Sequence, residues 1–302
     1  MTSKEKITVI GAGLMGHGIA QVFGRAGYRV SVFDPLHKSL ETLHGRIRSN
    51  LTSLGVTEPE PTLAMISCCP DLDIALHDAD VVFEAVLEDL TLKQDLFAKI
   101  EKKIKPETIL ASNTSVMPIT SIMEKLSRRE NALGTHWWNP PFLIPLVEVV
   151  PTEWTSPGVV DFIMDLLANA GKKPVHVKKD IPGFIGNRLQ HALWREAIAL
   201  VEAGVCSAED VDQVVKSSFG LRLGVLGPLE NADLVGTDLT LAIHQIVLPA
   251  IDSRPVPSPY LEELVAGGKL GMKIGEGFRP WTPAQQADIR DAIFKKLKEN
   301  LN

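Results

Sequence analysis

Apolar and polar positions follow two rhythms along the chain, and the change between them divides it. In the first half, short β-branched runs alternate with longer segments whose apolar residues recur at helical spacing. "KITVIGAG" (6–13) and "RVSVFDP" (29–35) read as strands, with a helix over "LMGHGIAQVFGRAG" (14–27) between them. Further strands are expected at 64–68, 80–86, 108–113, 133–138, 146–151 and 173–178, and helices over 37–55, 89–104 and 155–171. Such alternation predicts an α/β fold built on a doubly wound parallel sheet. After "DIPGF" (180–184) the strand rhythm stops, and from Ile185 onward nearly everything reads as helix, broken by turns such as "FGLRLGVLGPLE" and "SRPVPSP". The expected organisation is a sheet domain over 1–181 followed by an all-helical C-terminal domain over 182–302.

Composition narrows the function classes. The net charge is −6 from 31 basic and 37 acidic residues, with no Lys/Arg block, so nucleic acid is not an expected partner. No run of about 18 apolar residues offers a membrane span. A short charged start leads straight into the first strand, which predicts no secretory leader and a cytoplasmic protein. Adjacent Cys68 and Cys69 with distant Cys206 give neither a disulfide framework nor a zinc site, so no metal is expected.

"ITVIGAGLMGHGIAQVF" places Gly11, Gly13 and Gly16 between a strand and a helix, with Asp34 ending the next strand. In a dinucleotide-binding unit the first glycine allows a tight turn and the second lets the backbone approach a pyrophosphate. The third lets the helix pack close to the sheet. Leu14 and Met15, between the glycines, lie where the helix N-terminus offers N–H groups to phosphate. Asp34 would accept hydrogen bonds from an adenosine ribose and repel a 2′-phosphate, and the following "PLHK" carries no arginine. NAD is the expected cofactor.

A second anomaly is "LVEVV", where Glu148 shares a strand face with Leu146 and Val150. A buried carboxylate needs a partner. The strand–loop–strand arrangement between residues 133 and 150 offers His136, and a carboxylate would fix the tautomer of an imidazole suited to taking a proton from an alcohol.

"VIGAGLMGHGIA", "VVFEAVLEDLTLKQDLF", "ASNTSVMPITSI", "GTHWWNPPFLIPLVEVV", "KKDIPGFIGNRL" and "GGKLGMKIGEGF", in this order, resemble the 3-hydroxyacyl-CoA dehydrogenase family over almost the whole chain. The resemblance implies a Rossmann-type N-terminal domain, an NAD-dependent oxidoreductase acting on a CH–OH group, and a homodimer. It makes His136 the catalytic base and Glu148 its orienter. Ser115 and Asn187 match residues that hydrogen-bond the substrate oxygen, and Glu88 and Lys93 match contacts to the nicotinamide-side ribose. Asn113 and Asn139 would line the same cleft.

The chain also departs from the acyl-CoA members. Where they carry a basic helical hairpin, it offers one helix and then the acidic "VTEPEPT" with Glu58 and Glu60. Carboxylates are poor company for the CoA phosphates. Arg222 in "GLRLGVLGP" resembles the branch acting on free hydroxy acids, which includes gulonate and carnitine dehydrogenases and a pyridine-carboxylate dehydrogenase. A guanidinium there could grip a carboxylate, or it could be a surface or dimer-contact residue. The expected activity is interconversion of a 3-hydroxy and a 3-oxo group on a small carboxylate substrate. The alternative is a short-chain 3-hydroxyacyl-CoA such as 3-hydroxybutyryl-CoA. A structural NAD-binding protein, as lens λ-crystallin arose from this fold, is disfavoured by the intact His136–Glu148 pair.

Overall fold

The structure is a computed structural model and describes residues 4–299. The outermost residues of both expected domains therefore lie outside the described part. The chain divides into two compact units, one running to Arg188 and taking in the stretch from Lys296, the other covering Leu189–Lys295.

The first unit holds eight strands: β1 (Lys6–Ile10), β2 (Arg29–Phe33), β3 (Ile66–Cys69), β4 (Val81–Glu84), β5 (Ile109–Ser112), β6 (Ala132–Trp137), β7 (Leu146–Pro151) and β8 (Lys173–His176). They form one sheet in the order β3-β2-β1-β4-β5-β6-β7-β8. Every pairing is parallel except β6 with β7. That hairpin is the one antiparallel pairing in the expected doubly wound parallel sheet. The segment between β6 and β7 is too short to carry a crossover helix, and strands joined without one must run antiparallel. The central strands β4, β5 and β6 are buried throughout, whereas β3 and β8 at the sheet edges are partly open. Burial on both faces suits a sheet covered by helices on each side.

Helices α1 (Gly16–Arg25), α2 (His37–Glu41), α3 (Leu43–Ser53), α4 (Glu60–Ala64), α5 (Leu72–Leu76), α6 (Leu90–Glu101), α7 (Ile119–Ile122) and α8 (Pro157–Asn169) belong to this unit. The single helix expected over 37–55 is broken at Thr42, whose hydroxyl donates to Lys38 O at 3.1 Å and Ser39 O at 3.3 Å. Such local hydroxyl bonds compete with the helical ladder. The acidic "EPTLA" forms α4, with Pro61 in its first turn, where its missing N–H costs nothing. Side chains alternate across the strands into two cores, so Val81 and Phe83 enter one and Val82 the other. In the first, Trp137 meets Phe23 and Phe83 edge-on at centroid distances of 5.9 and 6.1 Å.

Helix α9 (Gly186–Glu202) leads into the second unit, followed by α10 (Ala208–Ser217), α11 (Pro228–Val235), α12 (Thr237–Val247), α13 (Pro259–Ala266) and α14 (Pro283–Glu299). No strand longer than an isolated bridge occurs there among the described residues. The all-helical expectation holds.

Candidate active site

The carboxyl ends of parallel strands are where doubly wound sheets bind ligands, and the first unit concentrates its chemistry there. The glycine turn leaves β1 with Gly11 at φ +98°, where a Cβ would stand 2.5 Å from Ala85 O. At Gly16 a Cβ would meet Gly11 O at 1.7 Å, whereas at Gly13 it would meet nothing within 4 Å. Two glycines thus close the turn and the third leaves its outer side open. No side chain caps the start of α1, and apart from His17 N, which donates to Gly13 O at 3.3 Å, the N–H groups at that end are open to phosphate. Leu14 is exposed and Met15 partly buried beside them. Asp34 is buried and accepts from Ala12 N at 2.7 Å and Leu36 N at 2.8 Å, which locks the carboxylate against the turn with further lone pairs to spare. These residues fit an NAD, which supplies a hydride acceptor when bound.

Sequence reasoning missed Arg46 here. Its guanidinium donates to Ala12 O at 2.6 Å, Ser39 O at 2.9 Å and Gly13 O at 3.3 Å. Burial pulls its pKa down while the nearby Asp34 carboxylate raises it. No arginine follows β2 directly, yet one arrives from α3, a placement that local spacing does not reveal.

On β6 and β7, His136 and Glu148 are register partners. His136 Nδ1 lies 2.8 Å from Glu148 Oε2, both side chains being buried. Glu148 Oε1 accepts from Ile185 N at 2.9 Å and Gly186 N at 3.0 Å, at the start of α9. Burial pushes the Glu148 carboxyl up, but the hydrogen bonds from His136 and from these two N–H groups outweigh it and hold the pKa below the usual value. An ionised Glu148 therefore fixes the tautomer that leaves Nε2 as the acceptor, and Nε2 makes no hydrogen bond within the described protein. Trp138 and Phe184 flank the imidazole at centroid distances of 5.2 and 5.5 Å. Phe184 adopts φ +49°, a conformation bulky side chains avoid, and its ring is fully buried.

A second network lies at the ends of β4 and β5. Glu84 accepts from Lys93 Nζ at 2.6 Å, Ser112 Oγ at 2.6 Å and Val86 N at 2.8 Å. Lys93 is fully buried, with Glu88 Oε2 at 3.4 Å as its second carboxylate. Glu88 also accepts from Thr114 Oγ1 at 2.6 Å and Ser115 N at 2.9 Å. Burial raises the Glu88 carboxyl, but Thr114, Ser115 and Lys93 together bring it below its ordinary value. Lys93 at a helix start is thus a buried ion pair, and any role toward a ribose runs beside that pairing. Glu84 escaped sequence reasoning although "VVFEAV" shows the same signal as "LVEVV", a carboxylate inside an aliphatic strand.

Asn187 Nδ2 donates to Ser115 O at 2.7 Å, which ties the two expected substrate-oxygen ligands together. Asn113 Oδ1 accepts from Trp137 N at 3.0 Å and is held at the end of β5. Asn139 is exposed and opens the β6–β7 loop. Arg222 falls in the second unit, exposed after a 3₁₀ turn (Phe219–Leu221), with no side-chain hydrogen bond or ion pair among the described residues. In the segment expected to repel CoA phosphates, Glu60 pairs with Arg48 at 2.9 Å, so its charge is offset. No cluster of metal-ligating side chains occurs among the described residues.

Comparison with known proteins gives the family. The 3-hydroxyacyl-CoA dehydrogenase NAD binding domain matches residues 6–181, and the C-terminal domain of the same family matches 183–281. A 5-formyl-3-hydroxy-2-methylpyridine 4-carboxylate 5-dehydrogenase from Mesorhizobium japonicum is 35% identical over 97% of this chain and 96% of its own. The mitochondrial hydroxyacyl-coenzyme A dehydrogenase of Homo sapiens is 39% identical over 91% of this chain and 90% of its own. Among solved structures, a 5-formyl-3-hydroxy-2-methylpyridine 4-carboxylic acid 5-dehydrogenase, described as an NAD+ dependent dismutase, superposes with a TM-score of 0.91 at 35% identity, over 98% of this chain and 96% of that one. Fold and matches define an NAD-dependent oxidoreductase acting on CH–OH groups. The chain belongs to the 3-hydroxyacyl-CoA dehydrogenase family.

Proposed function

We propose that the enzyme interconverts a 3-hydroxy and a 3-oxo group on a small free carboxylate, with His136 as general base and Glu148 as its orienter. The carrying observation is the 2.8 Å His136–Glu148 contact on a carboxylate that three donors keep ionised. His136 Nε2 takes the hydroxyl proton as hydride leaves the carbon, while Ser115 and Asn187 hold the substrate oxygen, and Asn139 joins them. Gly11, Gly13, Leu14, Met15, Gly16, Asp34, Glu88, Lys93 and Asn113 form the NAD-side surface.

Arg222 is the proposed carboxylate ligand because its guanidinium has no protein partner among the described residues. The high structural similarity to a pyridine-carboxylate dehydrogenase supports the same substrate class. The similarity to human hydroxyacyl-coenzyme A dehydrogenase favours the alternative, a short-chain 3-hydroxyacyl-CoA. An NADH-absorbance screen of free 3-hydroxy acids against their CoA thioesters separates the two. Higher kcat/KM for acetoacetyl-CoA than for every acid tested would reject the free-acid reading.

The domain over 182–302 is assigned to substrate binding and dimerisation. Homodimer formation is supported by large exposed apolar side chains in the second unit, among them Val225 in the turn before α11, Leu229 on α11 and Ile246 on α12. No helix among the described residues is long and apolar enough to cross a membrane. Three free thiols support a cytoplasmic setting.

A further inference from the structure

A cleft of about 420 Å³ opens in the first unit, lined in part by Gln21 and Arg25 of α1, Phe142 of the β6–β7 loop, Asn169 at the end of α8, Lys172 and Lys298. Its lining contains three cationic side chains and no carboxylate. Lys172 is the notable one. It is 9% exposed, and its ammonium donates to Pro141 O at 2.5 Å and Ile144 O at 2.6 Å, with the Trp137 ring 5.5 Å away. Those contacts use two of its three N–H groups and bring no countercharge. A buried cation without an anion is costly, and burial pulls the Lys172 pKa down to about 8.

An ordinary structural explanation covers part of this charge. Helices α1, α3 and α8 end at the cleft, and Lys298 Nζ donates to Ser53 O, the last residue of α3, at 2.9 Å. Each helix end carries roughly half a negative charge, so three ends offset about 1.5 of the three positive charges. The excess remains positive. From the elements around Lys172 the charged groups facing the cleft are Arg25 and Lys298, while Gln21 and Asn169 offer neutral amides.

We propose that this cleft binds a small oxyanion, a phosphate group either free or carried on a small metabolite, with Lys172 at its floor and Arg25 and Lys298 at its rim. The anion supplies the countercharge that the protein withholds from Lys172. It thereby steadies the loop carrying Pro141 and Ile144, which begins next to the His136 strand. The site stands apart from the glycine turn and does not depend on the reading of His136 or Arg222.

The test follows thermal unfolding of the full-length enzyme with saturating NADH, so that the dinucleotide turn is occupied. Potassium phosphate is titrated against potassium chloride of equal ionic strength, with glycerol 3-phosphate as a parallel arm that separates free from carried phosphate. At roughly tenfold over Kd a rise in Tm of about 2–4 °C is expected, weakening as pH passes above about 8. Lys172→Met should abolish the rise, and the double variant Arg25→Ser/Lys298→Ser at the rim should at least halve it. If Lys172→Met does not fold, the double variant decides alone. No phosphate-specific rise in the wild type, or a rise that survives both changes, overturns the proposal.

Discussion

The two units treat their apolar side chains in opposite ways. In the sheet unit Phe23, Phe83 and Trp137 are lost from solvent, and β-branched residues fill both faces of the sheet. In the helical unit α10, α11 and α12 contain no buried residue, and Val225, Leu229 and Ile246 are 89%, 79% and 78% exposed. Its helices are held by local devices instead. Ser207 and Asp210 form a capping box on α10, and Arg254 bridges Glu202 and Asp252. Open apolar side chains of this size are a feature that a partner surface can cover. One unit thus encloses its apolar side chains by its own folding, and those left open on the other are what the proposed homodimer would cover.

That contrast is tested most severely at the chemistry, all of which the sheet unit carries in the proposed mechanism apart from Arg222. His136→Ala should lower kcat by about 10²–10⁴-fold while NADH binding, followed by fluorescence, stays near wild type. Glu148→Gln should fall in the same range. Because the two side chains act as a unit, the double variant should lose far less than the product of the single losses. Near-normal turnover in His136→Ala would end the general-base assignment.

The next largest effect sets core against open face. Trp137→Ala should cost about 3–5 kcal/mol in chemical denaturation, since the residue is enclosed by Phe23 and Phe83 and the void cannot refill. Ile246→Glu removes no enclosed side chain and should leave the denaturation of the sheet unit unchanged. It should instead shift the protein from dimer to monomer in light scattering after size exclusion. A monomeric wild type, or a dimeric Ile246→Glu enzyme accompanied by equally open apolar faces, would break the comparison.

Much of this organisation is legible in the sequence because it rests on local signals. The glycine spacing after β1, the β-branched runs and Glu148 inside "LVEVV" each name their element without any long-range contact. The antiparallel β6–β7 pair was half legible, since the loop was visible but the direction depends on the missing crossover helix. Arg46, Glu84 and Lys172 were not singled out. Arg46 reaches the glycine turn from a helix separated from it by a strand, and Lys172 finds its carbonyl partners across the sheet edge. Such encounters are set by packing. The openness of the second unit is also hidden, because an amphipathic helix reads alike whether its apolar face meets its own chain or another.

A moderate effect is expected at Asp34, whose charge should discriminate against the 2′-phosphate of NADP. Losing a charge-assisted contact of about 1.5–3 kcal/mol corresponds to roughly 10–150-fold in relative kcat/KM. Asp34→Ala should therefore narrow the preference for NAD by that order, helped by Arg46 nearby. An unchanged ratio of the two coenzymes would place the discrimination elsewhere.

The smallest effect compares one carboxylate from each unit under acid. Glu148 is buried in the sheet unit and Glu202 pairs with Arg254 in the helical one, and both have pKa values below the usual range. For Glu148, burial opposes the shift and His136 with the two backbone N–H groups overcomes it. For Glu202, the Arg254 hydrogen bond leads. A lowered folded pKa means that the unfolded chain binds its proton first. The stabilisation is therefore complete above the unfolded value of about 4.5 and is lost as pH falls through the folded one. The two residues should part in their response to salt. Near neutral pH, Glu202→Gln should change Tm little, and less still in 0.5–1 M KCl, because an ion pair open to water is weak and screened. Glu148→Gln should cost more and be nearly indifferent to salt, since its partners lie in the interior. Both differences from wild type should shrink as the scans descend below pH 4.5, where the unfolded wild-type chain takes up protons first and the advantage the variants lack is progressively lost. A salt-sensitive Glu148→Gln difference would mean that water reaches the His136 pair, and the sheet unit would then be less sealed at its active site than its core implies.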